Sequence, residues 1–225
     1  MYDFPFQDVD FEPEDIESVE VLPHERPMTG RSLARRLALQ ALYEVDTTEH
    51  SVEAVVAHFL ARGSDTLNID VVIGSVEGEP PAKLTNLIQE THTLEDEETR
   101  ILTYFQRLVF GIVRVREVLD ELLGAYAPDF PIDQVAVVDR NILRIALWEI
   151  GVDRRVPVGV AIDEAIELAK LFGSEATPRF VNGVLGTIAQ NIKQVREPLR
   201  THIEEHLARQ GRTLSSLLAD TEPTE

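Results

Sequence analysis

From residue 101 to residue 192 apolar side chains return every three or four positions, and the pattern stops only where proline or glycine interrupts it. Ile101, Leu102, Phe105, Leu108, Val109, Ile112, Val115, Leu119, Leu122 and Leu123 make one such stripe. That spacing puts them on one face of a helix, and Pro128 and Pro131, which cannot continue a helix, mark its end. The next segment, IDQVAVVDRNILRIALWEIG, carries Val138, Ile142, Leu143, Ala146, Leu147 and Ile150. It is the most apolar helix of the chain and is expected to be buried on most sides, with Gly151 as its C-terminal stop. Pro157 opens a further helix, PVGVAIDEAIELAKLFG, which closes at Gly173. Thr177-Pro178 repeats the device, as N-cap and first helical residue of PRFVNGVLGTIAQNI.

Upstream, Leu33, Leu37, Ala41 and Val45 recur at four-residue steps in RSLARRLALQALYEV. Ser51 to Arg62 reads as a second short helix with Ser51 as its N-cap. From Gly63 to about Glu95 the periodicity breaks: NIDVVIGSVEGEPP holds a short β-like run, and a short helix is expected around Leu84 to Glu90. We read this stretch as an insertion. After Pro198 a weakly amphipathic, polar helix is expected to trail into the acidic terminus. Helices joined by short connections bury their apolar stripes on one another, so the fold class is all-α, a compact helical bundle.

The net charge of −19 is unevenly spread. Residues 1–27 carry nine acids and one base, residues 64–99 nine acids and Lys83 alone, and residues 197–225 six acids and three arginines. What remains holds sixteen of each sign. The acidic excess therefore lies in two tails and one insertion around an electroneutral core. This divides the chain into an acidic tail (1–27), a helical domain (28–196) with an insertion at about 64–95, and a polar C-terminal helix or tail (197–225). The first tail reads as a solvated segment or, in a sharper reading, as an arm that competes with RNA for a basic surface. Cysteine is absent, which removes disulfide and thiolate chemistry. No basic-then-apolar leader opens the chain and no apolar stretch approaches the ~20 residues of a membrane helix, so a cytoplasmic protein is expected.

Catalytic patterns are thin. His202-Ile203-Glu204-Glu205-His206 spells an inverted zinc-protease motif, but a zinc site needs a third ligand and a structured setting, and this one lies after Pro198. Asp163, Glu164 and Glu167 fall on a helix where they most simply face solvent or meet Lys170 and Arg179. There is no phosphate-binding glycine loop and no nucleophile elbow. We therefore expect no enzyme, no metal and no cofactor. The cations of the first helix are different. Arg31, Arg35 and Arg36 span little more than one turn, a spacing that lets guanidinium groups bind successive phosphates. In TPRFVNGVLG, Arg179 and Phe180 stand beside Asn182, and an aromatic near cations is what single-stranded RNA recognition uses. The competing readings are a solvated face for the arginines and ordinary core for Phe180.

RSLARRLALQALYEVD, VDRNILRIALWEI and VPVGVAIDEAIELAKLFGSEATPRFVNGVLGTIA together resemble the NusB family of transcription antitermination factors, over residues 28–62 and 97–192. The resemblance implies two small helical sub-bundles. It also implies binding of the boxA element of nascent ribosomal RNA together with NusE, a ribosomal small-subunit protein, and association with RNA polymerase. It places RNA contacts at Arg31 and Arg35, and near Arg179, Phe180 and Asn182. Arg36 stands where an acid is common, and Ser32 and Leu33 replace basic positions of some members. A homodimer that hides the RNA surface also occurs in this kind of family, and the sequence does not decide the point. The same fold serves certain ribosomal-RNA cytosine methyltransferases as an N-terminal domain, but the residues after 192 are too few for a cofactor domain. Two readings besides RNA binding stay open: a helical protein-interaction scaffold without its own RNA contact, and a metal hydrolase using His202 and His206.

Overall fold

A computed structural model describes residues 30–61, 94–127 and 131–219. The expectations for the acidic N-terminal tail, for the insertion up to residue 93, for Pro128 and for the last six residues lie outside these. Among the described residues every regular element is helical: α1 (Gly30–Thr47), α2 (Val52–Ala61), α3 (Leu94–Tyr126), α4 (Val137–Leu147), a π-helical turn (Trp148–Asp153), α5 (Val158–Phe172), α6 (Thr177–Gln190), α7 (Ile192–Arg209) and α8 (Leu214–Ala219).

The apolar stripes meet as their spacing requires. Leu33, Leu37 and Ala41 of α1, with Ala34, Ala38 and Leu42, are buried along α3, where Phe105, Leu108, Val109, Ile112, Val115 and Leu119 are wholly enclosed. α2 closes this side with Val55 and Val56, and Ser51 Oγ accepts the Ala54 N–H at 3.2 Å as its N-cap. α4, α5 and α6 pack on one another, α4 packs on both α1 and α3, and one large core cluster runs through all of them. Arg144 ties α4 to α3 and α1 by charge. Its Nε and Nη2 donate to Asp120 of α3 at 2.7 and 2.6 Å, and its Nη1 to Asp46 of α1 at 2.6 Å.

Three expectations need correction. Gly151 does not stop the helix: α4 passes into the π-helical turn, which ends at Arg154 in the left-handed conformation (φ 57°), its N–H donating to the Glu149 carbonyl. Leu199 packs closely on Gly151; a Cβ there would lie 2.4 Å from Leu199 Cδ2 and would push that side chain aside. Thr177 is the first residue of α6 rather than its cap, and its hydroxyl donates to Asp139 at 3.0 Å while accepting the Ser174 N–H at 2.9 Å. The helix expected after Pro198 begins earlier, at Ile192. α7 runs unbroken through Pro198 and buries Val195, Leu199, Ile203 and Leu207 at four-residue steps. Packing on α3 and the π-helical turn compensates for the hydrogen bond that Pro198 cannot make.

Trp148, the one tryptophan, is fully buried against Gly111 of α3, where an added Cβ would come within 2.3 Å of the indole Cζ2. Both neighbours are held in the core, so neither can move aside cheaply. Gly111→Ala should cost about 1–3 kcal/mol of stability. A urea titration followed by Trp148 fluorescence checks this; an unchanged midpoint means that the helix pair tolerates separation.

Candidate nucleic-acid interface

The first turn of α1 contains no acid, and its first two turns carry Arg31, Arg35 and Arg36, cations at the end where the helix macrodipole opposes them. The acids that offset them come from elsewhere in the fold. The π-helical turn brings Glu149, and α5 brings Glu164, to the start of α1. Arg35 Nε donates to Glu149 Oε1 at 2.8 Å and its Nη1 meets Glu164 Oε2 at 3.0 Å. Ser32 Oγ donates to the other Glu164 oxygen at 3.0 Å. Tyr104 of α3 donates its hydroxyl to the same Glu149 Oε1 that receives Arg35.

Arg35 was expected among the phosphate contacts. Its side chain is instead 3% exposed and engaged by two carboxylates. It precedes the buried Leu39 by one turn, on the apolar side of α1. Arg31 and Arg36 are the accessible pair: Arg31 is exposed, and Arg36 is partly exposed within electrostatic reach of Glu164 and Glu167. Glu149 is fully buried, and burial pushes its carboxyl above the ordinary glutamate range, against the opposing pull of Arg35 and of the Tyr104 hydrogen bond. Burial, followed by the Glu149 charge, likewise raises the Tyr104 phenol, which stays protonated and able to donate.

The second group sits at the start of α6. Arg179 and Asn182 are exposed, while Phe180 is half-buried and packs on the core, so it is partly the ordinary core residue of the plainer reading. Thr177 anchors this turn to Asp139 of α4, and burial outweighs that hydrogen bond in raising the Asp139 carboxyl. The two groups share supports: α5 carries Glu164 to α1 and packs on α6, and α4 packs on both α1 and α6.

Tyr104 is the residue that the sequence did not single out. The Arg31 guanidinium lies 5.6 Å from its ring centroid and that of Arg35 lies 5.8 Å away. Tyr104 stands beside Phe105 among the apolar positions of α3, and nothing in local spacing links it to α1. His202 and His206 lie on α7, where His206 Nε2 is 2.9 Å from Gln210 Nε2. Among the described residues no three histidines or carboxylates converge as a metal site would require.

A family model described as the NusB family matches residues 32–190. The chain belongs to the NusB family. Three relatives named transcription antitermination protein NusB align over most of their length. That of Dehalococcoides mccartyi is 35% identical over 162 residues, covering 72% of this chain and 91% of the relative. The Chloroflexus aggregans protein is 35% identical over 174 residues, covering 76% and 95%, and the Bacillus subtilis protein 32% over 164 residues, covering 73% and 98%. The solution structure of NusB from Aquifex aeolicus shares the all-α fold: TM-score 0.51, 23% identity, 76% of this chain and 95% of that one. These relatives are named for transcription antitermination. Among the described residues no helix is long and apolar enough to cross a membrane.

The two arginines one turn apart should behave oppositely in folding. Arg35→Ala leaves Glu149 buried without its ion-pair partner and should cost about 3–5 kcal/mol. Arg31→Ala removes an exposed cation and should cost less than about 1 kcal/mol. Equal urea midpoints for the two variants contradict the assignment of Arg35 to the core.

Proposed function

We propose that this chain is a cytoplasmic transcription antitermination factor that binds boxA-like single-stranded RNA of ribosomal RNA transcripts together with NusE and joins the RNA polymerase elongation complex. The observation that carries the proposal is the start of α1. There Arg31 and Arg36 remain accessible on a helix whose third arginine is locked to Glu149 and Glu164. Phosphates compensate exposed cations that the macrodipole opposes, and counterion release then makes binding salt-dependent. Arg179 and Asn182 offer a second charged and polar contact, and the exposed part of Phe180 a surface on which a base stacks. With equal numbers of acids and bases in the core sequence, RNA binding by the isolated protein is weak, and NusE supplies the remaining basic surface.

The scaffold reading keeps the fold and gives the arginines no RNA contact. It gains from the burial of Arg35, which removes one phosphate ligand from the set the resemblance implies. Fluorescence anisotropy with a boxA-like oligonucleotide, with and without NusE, separates the two. NusE should tighten binding. The Arg31→Ala/Arg36→Ala/Arg179→Ala triple variant should lose at least about tenfold in affinity, and its dependence of log K on log salt should flatten by about 2, near 0.7 per lost phosphate contact on a single strand. A triple variant that binds like the wild type removes these residues from the interface. A wild type that binds no RNA even with NusE leaves the scaffold.

A further inference from the structure

We infer that Tyr104 is a positioning residue of the RNA site: its ring holds the Arg31 guanidinium at the start of α1, and the buried Arg35–Glu149 pair fixes the ring. The inference rests on the RNA-binding reading above and extends it to a residue of α3 that neither the arginine-rich start of α1 nor the start of α6 contains.

The geometry is a chain of supports running outward from the core. Glu149 is wholly buried in the π-helical turn and its Oε1 receives two donors, Arg35 Nε at 2.8 Å and the Tyr104 hydroxyl. The phenol is thus tethered at its polar end, while its ring reaches the partly exposed side of α3. Arg31, one helical turn before Arg35, lies with its guanidinium carbon 5.6 Å from the ring centroid, inside the range where the aromatic quadrupole attracts a cation. An arginine retains its full charge in this arrangement, and guanidinium planes stack on aromatic faces while their edges keep N–H donors free. The side chain is then partly ordered before RNA arrives, which reduces the rotamer freedom lost on binding.

A double-mutant cycle on RNA affinity tests the idea in the full-length protein with NusE and a fluorescein-labelled boxA-like oligonucleotide. Tyr104→Leu should weaken binding by about two- to five-fold, the strength of a cation–π contact at an exposed site. Tyr104→Phe, which keeps the ring but loses the tether to Glu149, should recover part of that loss. In an Arg31→Ala background Tyr104→Leu should weaken binding no further. The salt dependence should flatten in the Arg31→Ala protein and stay at its wild-type slope in the Tyr104→Leu protein, because only the former removes a charge. Additive losses in the double variant, or an equal fall of slope in Tyr104→Leu, overturn the inference while the RNA-binding reading stands. If Tyr104→Leu does not fold by circular dichroism, the Arg31 Nε–H proton resonance of the wild type decides. An upfield ring-current shift is expected, and a random-coil position overturns the inference. A wild type that binds no boxA-like RNA with NusE overturns the RNA-binding reading, and this inference with it.

Discussion

The arrangement around the start of α1 depends on one buried charge. Glu149 enters the core at a place where the helix is widened to a π-helical turn, and its Oε1 receives both Arg35 and Tyr104, while among the described residues none donates to Oε2. Taking a carboxylate out of water costs several kcal/mol, and a single ion pair does not reliably repay that cost. Stability alone does not explain why a glutamate stands there. What the charge accomplishes is placement. It draws Arg35 of α1, Tyr104 of α3 and, through Arg35, Glu164 of α5 to one point, so three helices distant in sequence share a fixed register at the surface where Arg31 emerges.

The same turn explains two glycines. The turn Trp148–Asp153 keeps six consecutive residues buried and continues the unbroken burial of Asn141–Leu147 at the end of α4. That many enclosed side chains need space on two neighbouring helices. Gly111 of α3 gives room to the Trp148 indole, and Gly151 of the turn itself gives room to Leu199 of α7. Arg107 of α3, donating to Asp153 at 2.6 Å, closes the far end of the turn as Glu149 closes the near end. The segment is therefore held to α1, α3 and α7 by two ion pairs and two close approaches.

Much of this was legible in the sequence, for definite reasons. The stripes of α1 and α3, the burial of α4 on most sides, the Ser51 cap and the start of α5 after Pro157 all follow from periodicity and from the backbone preferences of proline and serine. The family was legible from three sequence blocks. The burial of Arg35 was not legible because a buried arginine has the same letter as an exposed one, and its two acids lie far along the chain. Tyr104 was missed for the converse reason: in a run of apolar residues a tyrosine reads as core. Pro198 was taken for a boundary although Val195, Leu199, Ile203 and Leu207 already spelled a four-residue stripe across it. For Arg35 and Tyr104 the deciding partner is tertiary and local spacing carries no signal for it, whereas the stripe across Pro198 is itself a local spacing.

These errors bear on how an electroneutral core can serve a polyanion. Affinity for phosphate is usually read from the amount of positive charge, and by that measure sixteen bases offset by sixteen acids offer little. The structure distributes the charges by depth. The acids near α1 are turned inward, Glu149 wholly and Glu164 in large part, and each is occupied by Arg35 or Ser32. Arg35 takes part in that neutralisation, so the cations left at the surface face solvent without a carboxylate within bonding distance of Arg31 among the contacts described. A buried cation thus satisfies a buried anion, and the exposed one keeps its charge for a ligand. Counting arginines along α1 overstates the number available to RNA, while counting net charge understates it; which side of the helix each one occupies sets the number that matters.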